Sequence, residues 1–382
     1  MNIAVLHRYP PAQVIGTNAS FIAFLEKLIE KKHVVYYLTY KDKVTSEKIE
    51  KLNYVELPFT FNRGDSKDKL VKTILWMGLA PIYVTWLGVT RKIDLIYCDD
   101  SVPYYGFVSK IVNPLTKVVI RLGDLQIGYK WADTNPPLFN WALKMETLMW
   151  RCFDGLIPIS NEFKKFLTEL GVDEKKMRVV EESINLSKEM KAEEKISSGS
   201  VTFMFHGALL SCKGLDTLVK AFRIVNKEMP KTKLIIAGGG EEEIKIKNLV
   251  NELEIRNVEF TGWYDHLKLE KLMTKSDIGV IMRSSNMANN FVVTTCLLEN
   301  WSYKKPVLVP RLKSFEGVIK NKESGVFFEP GNSNDLAAKM MDLANNRKLW
   351  TKLGKNGYDI SSDIFDHKKI ADKMVTALES FI

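Results

Sequence analysis

Two periods of apolar spacing alternate along this chain. Short runs rich in β-branched and aromatic residues (NIAVL, HVVYYL, IDLIYC, KVVIRL, DGLIPI) are separated by stretches in which apolar residues recur every three or four positions, as at Phe21, Phe24, Leu25, Leu28 and Ile29. Alternation of this kind predicts βα units, and so a parallel sheet with helices on its faces. SINLSKEMKAEEKISSGS has no apolar period and predicts an exposed connection. The pattern then restarts with VTFMFH, TKLIIAG, NVEFTG, DIGVIM, PVLVP and GVFFE as strands, the first leading to a helix with Leu215, Leu218, Val219, Phe222 and Val225 on one face. The expected organisation is a first domain over 1–183, a linker over 184–200, a second domain over 201–363, and a closing helix over 364–382 that returns to cover the first domain.

Two apolar stretches need separate treatment. Residues 70–89, LVKTILWMGLAPIYVTWLGV, hold one charge (Lys72) and two tryptophans, with Lys67, Lys69, Arg91 and Lys92 as flanks. Their length permits a membrane span, but Pro81, Gly78 and Gly88 disfavour a lone spanning helix. A buried or domain-surface helix and an interfacial element with its tryptophans at the headgroup level both remain open. PLFNWALKMETLMW is apolar almost all round, which predicts a helix with little solvent contact.

In a parallel sheet the loops at the strands' C-terminal ends form the working edge. His7, Arg8, Gly16 and Thr17 fall there, as do Asp99, Asp100, Arg121, Asp124 and Ser160. In the second half, Gly207 ends a strand and Lys213-Gly214 opens a helix. Unpaired amides and the positive dipole end favour an anion at such a place, and Lys213 adds a full charge. RSSNMANNF followed by VTTCLLENW repeats the arrangement: Thr294 and Thr295 suit a helix start, and Glu299 lies one turn on. LIIAGGGEEE carries acids that repel phosphate, so it is expected to be a plain turn and helix start.

Composition narrows the class. At 382 residues two domains are expected, and 46% hydrophobic with 26% charged residues is the make-up of a soluble globular protein. The net charge of +9 is spread out, since residues 1–190 hold 26 basic and 22 acidic side chains (+4), leaving +5 beyond. A nucleic-acid binder would concentrate its charge, so no nucleic-acid partner is expected. Cys98, Cys152, Cys212 and Cys296 form no C-x-x-C pair, which argues against a zinc site and a disulfide framework and for a reducing compartment. The first residues lack the basic and apolar pattern of a secretory leader, so a cytoplasmic location is expected, with peripheral contact at the inner membrane face if the interfacial option for 70–89 holds.

HGALLSCKGLDTLVKAF, LIIAGGGEE, VEFTGWY, SDIGVIMRSS, CLLENWSYKKPVLVP and ESGVFFEPGNSNDLA resemble the successive blocks of glycosyltransferase family 4. FDGLIPISNEFKKFLTELGVDEKKMRVV and the loop ending at Gly16 agree more loosely. The resemblance implies the α/β GT-B fold, two Rossmann-like domains with parallel sheets facing across a cleft. It also implies transfer of a hexose from a nucleotide diphosphosugar, with retention and without a metal or other cofactor, to a glycan or lipid-linked sugar.

Carried over by position, Lys213 contacts the donor diphosphate, the Thr294–Thr295 helix start supplies amides to it, Glu299 holds the ribose hydroxyls, and the backbone at Trp263 and Tyr264 meets the base. Asp124, Lys213 and Glu299 then form the catalytic set, and Gly16, Thr17 and Gly207 bring backbone close to the donor. The chain departs from the family at Ala208, where an Arg is usual, at Phe291, where the first Glu of a pair is usual, at Gly123-Asp124, where a His precedes the Asp, and at Glu181-Glu182-Ser183, where Pro-Asn-Gly is usual. Arg283 follows DIGVIM directly and is expected to replace the missing Arg. The alternatives are a non-catalytic nucleotide-sugar-binding subunit that partners an active enzyme and, more weakly, a sugar-nucleotide epimerase, for which no acid and base set declares itself. The 70–89 stretch motivates a membrane-associated acceptor.

Overall fold

The protein is described by a computed structural model that covers residues 1–7, 18–41, 49–60, 66–99, 103–132, 134–186, 200–264 and 266–382. Gly16, Thr17, Arg8 and Asp100 lie outside the described residues, as does most of the expected linker. The chain divides into one unit of Met1–Asn185 with Asp366–Ile382 and a second of Leu186–Phe365.

The first unit is built on six parallel strands, β1 (Asn2–Leu6), β2 (Val34–Lys41), β3 (Asn53–Thr60), β4 (Leu95–Cys98), β5 (Lys117–Leu122) and β6 (Gly155–Pro158), in the order β3-β2-β1-β4-β5-β6. The second repeats this order with β7 (Thr202–His206), β8 (Lys233–Ala237), β9 (Val258–Gly262), β10 (Ile278–Val280), β11 (Val307–Pro310) and β12 (Val326–Phe328), arranged β9-β8-β7-β10-β11-β12. Strand order reverses at β1/β4 and at β7/β10, and in open sheets the crevice at such a reversal, on the C-terminal edge, is where ligands bind. Sequence reading missed β3. Its NYVELPFT carries Pro58, which cannot donate to a ladder, and the strand is tolerated because it lies at the sheet's edge.

On one face of the first sheet, Phe21, Phe24, Leu25 and Leu28 of the Asn18–Glu30 helix pack with Ile370, Met374, Val375 and Leu378 of the His367–Glu379 helix. Ion pairs Lys27–Asp372 (3.2 Å) and Lys31–Glu379 (2.8 Å) line the same contact. The opposite face carries the helices Ser66–Arg91, Tyr104–Val112 and Pro136–Cys152 side by side. A Cβ on Gly106 would meet Cys98 Sγ and the Phe153 ring at 3.3 Å, so glycine lets the middle helix sit close to β4 without pressing on these side chains.

Two expectations change here. Trp76 is fully buried with its ring 5.2 Å from Tyr40, whereas Trp86, on the other side of the helix, is 50% exposed, so the two tryptophans of 70–89 do not act together at a surface. The Pro136–Cys152 helix has an exposed stripe, with Trp141 62% exposed and Met145 and Leu148 also outward. It buries Phe139, Ala142, Thr147 and Trp150 on its other side only. Among the described residues no helix is long and apolar enough to cross a membrane.

The second unit's core joins Phe203 and Phe205 of β7 to Leu218, Phe222 and Val225 of the Leu215–Glu228 helix and to Leu336, Met340 and Leu343. At roughly 1.5–3 kcal/mol per fully buried side chain, this packing holds β7, and with it the loop that follows, in place.

Candidate functional site

Because β7 and β10 are parallel neighbours, the loops after them leave the same edge of the second sheet side by side. β7 ends at buried His206 and the chain turns at Gly207, whose φ of +132° only glycine adopts freely. Leu209 N donates to Gly239 O (2.9 Å), which ties this loop to the turn after β8. A short turn over Ser211–Lys213 then leads through Gly214 (φ 64°) into the Leu215–Glu228 helix.

The two loops are stitched at the Cys212 carbonyl, which accepts from Ser284 N (3.0 Å), Ser284 Oγ (3.0 Å) and Asn289 Nδ2 (3.1 Å). Arg283 leaves the end of β10 and donates through Nη1 to Asn289 Oδ1 (2.8 Å). This seats its guanidinium beside Lys213. Burial pushes the Lys213 ammonium down to about 8, and the Arg283 charge pushes the same way. Its other electrostatic neighbours are the thiols of Cys296 and Cys212, and no carboxylate is among them. Two cations held together in a half-buried place repel one another, and an anion between them would relieve that repulsion.

Thr294 caps the Thr295–Ser302 helix, its Oγ1 accepting from Leu297 N at 3.3 Å. Early amides of a helix have no partner within it, and the dipole end adds positive potential. One turn on, burial raises the Glu299 carboxyl to about 7 against the opposing pull of His206. His206 Nδ1 lies 3.4 Å from Glu299 Oε2 and 3.2 Å from the Tyr264 hydroxyl. Asn300 Nδ2 donates to Cys296 O (2.8 Å) and stands 3.0 Å from His206 Nε2. That network assigns the imidazole proton to Nδ1, facing Glu299.

His206, Cys296 and Glu299 also bring one nitrogen, one sulfur and one oxygen within 4.8 Å of one another, a donor set that zinc can use. Metal binding through Nδ1 would require the imidazole proton to move to Nε2, against the Asn300 amide.

Gly207, Lys213, Arg283, Thr294, Thr295, Glu299 and Tyr264 thus come together. Tyr264 is mostly buried and bonded to His206, so its side chain belongs to that cluster and is not a surface for a base. Trp263 is exposed and lies against the turn after β8, where a Cβ on Gly239 would come 2.6 Å from its Nε1. Sequence reading missed His206, Asn289 and Asn300. The available signals were a histidine closing a core strand and an asparagine-rich loop at the reversal point.

Asp124 stands on the first unit, after β5, and its charge adds to burial in raising Glu146 to about 7. A second polar cluster occupies the reversal point of that unit. Tyr97 donates to Asp99 Oδ1 (2.8 Å), His7 Nε2 is 3.9 Å from Asp99 Oδ2, and Arg121 Nη2 is 3.9 Å from Glu182 Oε1. Burial raises the Glu182 carboxyl, with Arg121 opposing. Glu182, where the family has part of Pro-Asn-Gly, therefore balances a buried arginine.

Residues 187–360 match the family described as glycosyl transferases group 1. An uncharacterized glycosyltransferase of Methanocaldococcus jannaschii is 23% identical over 58% of this chain and 57% of its own length. The lipopolysaccharide core biosynthesis glycosyltransferase LpsE of Rhizobium meliloti is 24% identical over 46% of this chain and 49% of its own. The chain spans about half the length of these curated relatives. Among solved structures, Anabaena HepE in complex with UDP and glucose superposes with a TM-score of 0.73 at 16% identity, covering 100% of both chains. Residues 187–360 are thus similar to the glycosyl transferases group 1, and the two α/β units have the GT-B fold.

Proposed function

We propose that this protein transfers a sugar from a nucleotide diphosphosugar to a glycan or lipid-linked sugar, with retention at the anomeric carbon and without a metal. The observation that carries the reading is that Arg283 is tied through Asn289 to the Cys212 carbonyl, next to Lys213, at the β7/β10 reversal. A diphosphate leaving group gains negative charge as the glycosidic bond breaks, and donors already fixed around it lower the barrier. Lys213, Arg283 and the Thr294–Thr295 helix start fill that role, Arg283 taking the place left by Ala208. Glu299, when ionised, accepts from the ribose hydroxyls, while Trp263 and the backbone at Tyr264 border the base.

UDP beside HepE and the lipopolysaccharide role in the name of LpsE support the donor and acceptor classes. Retention and the catalytic role of Asp124 rest on the family resemblance. In this reading the first unit takes the acceptor, with the Tyr97–Asp99–Arg121–Glu182 cluster at its polar edge.

A thermal-shift panel of UDP, GDP, ADP and the matching nucleosides tests the donor site. A ligand at a hundred times its dissociation constant stabilises by about 2.7 kcal/mol. One diphosphate is expected to raise the melting temperature where its nucleoside does not. If no diphosphate shifts the transition, or nucleosides do as well, the anion site is not a donor site.

A further inference from the structure

Most of the exposed large apolar side chains among the described residues sit in one part of the first unit, on the layer formed by the helices Ser66–Arg91, Tyr104–Val112 and Pro136–Cys152. On the first helix Val71, Ile74, Ile82, Trp86 and Val89 recur at helical spacing, opposite the buried Trp76, Ala80, Val84 and Leu87. Gly78 falls within the exposed stripe, with nothing within 4 Å of a Cβ added there. Ile111 and Leu115, the latter 98% exposed, continue the apolar surface at the end of the second helix. Trp141, Met145 and Leu148 form a matching stripe on the third. The helices touch: Asn113 Nδ2 donates to Thr85 Oγ1 (3.4 Å), and the middle helix packs on the third.

Charge indicates what meets this layer. Residues 66–91, 104–112 and 136–152 carry Lys67, Lys69, Lys72, Arg91, Lys110, Lys144 and Arg151 against two carboxylates, Asp68 and Glu146. Asp154 engages Lys110 and Lys117. Arg91, Lys92 and Lys144 are exposed and have no carboxylate partner among the described residues. Apolar stripes that carry exposed indoles, with a clear excess of basic over acidic residues on the same helices, suit the boundary of an anionic bilayer, where indoles settle at the headgroups and lysine stems reach past them.

We propose that the outer surface of this three-helix layer docks the protein on an anionic lipid bilayer. The inference gives a partner to the acceptor side of the transferase reading and rests on that reading for its purpose, since a lipid-linked sugar is presented at such a surface. It differs from the expectation drawn from 70–89: Trp76 takes no part, and Leu115 and Trp141 come from segments that showed no such signal in the sequence.

Co-sedimentation of the full chain tests it, with vesicles of phosphatidylcholine alone and vesicles containing phosphatidylglycerol. The wild type is expected to pellet with phosphatidylglycerol vesicles at low salt, and about tenfold less at high salt, where surface charge is screened. Trp86→Ser, Leu115→Ser and Trp141→Ser combined should lower vesicle partition by about tenfold or more. All three side chains are exposed, so the melting curve should hold. A wild type that stays in the supernatant with both vesicles overturns the proposal, as does a triple variant that pellets undiminished. A wild type that self-associates and ignores vesicles, beside a monomeric triple variant, also overturns it and makes the layer a contact between copies. UDP, GDP and ADP thermal shifts on the same samples keep the donor site separate: vesicle binding without any nucleotide response supports the docking surface and sinks the donor-site reading.

Discussion

Nδ1 of His206 lies 3.4 Å from Oε2 of Glu299 at the end of β7. Burial lowers the imidazole below its ordinary range and raises the carboxyl to about 7, so each charge is costly alone and each favours the other.

Sugar-nucleotide affinity should therefore peak in a narrow window. Below about 7 Glu299 takes up a proton and no longer accepts well from ribose hydroxyls. Above about 8 Lys213 loses its charge, and with it one contact to the diphosphate. Calorimetric titration from acid to alkaline pH should show affinity falling on both sides. A flat profile across this range would remove both groups from the donor site.

The same carboxyl has a stability signature. Its folded value lies above that of the unfolded chain, so from the usual carboxylate range up to about 7 the folded state holds a proton that the unfolded state has released, and this contribution is lost as pH rises. Glu299→Gln should remove that loss. The variant is expected to gain on the wild type as pH rises, by on the order of 1–3 kcal/mol once the carboxyl is ionised. Parallel melting curves at acid and alkaline pH would show that the carboxyl is not held neutral by burial.

Lys213→Ala should weaken diphosphate binding by roughly 1.5–3 kcal/mol, the range for a hydrogen bond to a charged group, and leave nucleoside binding alone. Arg283→Ala should do the same. It also frees Asn289 and so loosens the Cys212 anchor, which predicts a lower melting temperature for this variant but not for Lys213→Ala. If Arg283→Ala changes neither affinity nor turnover while Lys213→Ala abolishes both, Arg283 does not compensate for Ala208.

Gly238 has φ +137°, and a Cβ there would lie 1.9 Å from the Gly207 carbonyl oxygen. No flexible side chain can yield, because the obstacle is backbone. Gly238→Ala should cost several kcal/mol and pull the β7 and β8 turns apart, erasing nucleotide-induced stabilisation. An alanine variant with the wild-type melting temperature would mean that these turns are free to separate.

Much of the sheet architecture could be read from the chain because strand and helix periods alternate, and a parallel topology follows from that alternation. The pairing of the Lys213 loop with the Thr294 helix start was legible for the same reason: both follow apolar strands and both open helices. β3 was not, since Pro58 removes a donor and only its edge position makes that harmless. The hydrogen bonds from Asn289 and Asn300 were not legible either, because neutral amides act through three-dimensional neighbours that no spacing reveals. The Pro136–Cys152 helix misled because an apolar residue left outward has the same letter as one turned inward.

Trp76 and Trp86 separate burial from surface on one helix. Trp76 is fully buried against Tyr40, and Trp76→Ala should cost about 3–5 kcal/mol, the range for emptying an aromatic core site. Trp86 is half exposed, so Trp86→Ala should cost much less. Gly78, between them in sequence, has open space around its missing Cβ. A mid-helix glycine costs about 1 kcal/mol relative to alanine, and nothing packs there to require it. Gly78→Ala should therefore raise the melting temperature, and urea unfolding of the three variants should rank Gly78→Ala above wild type, Trp86→Ala near it and Trp76→Ala far below. Equal losses for the two tryptophans would mean that the outer stripe of this helix is covered in solution, and a destabilised Gly78→Ala would mean that something packs on it.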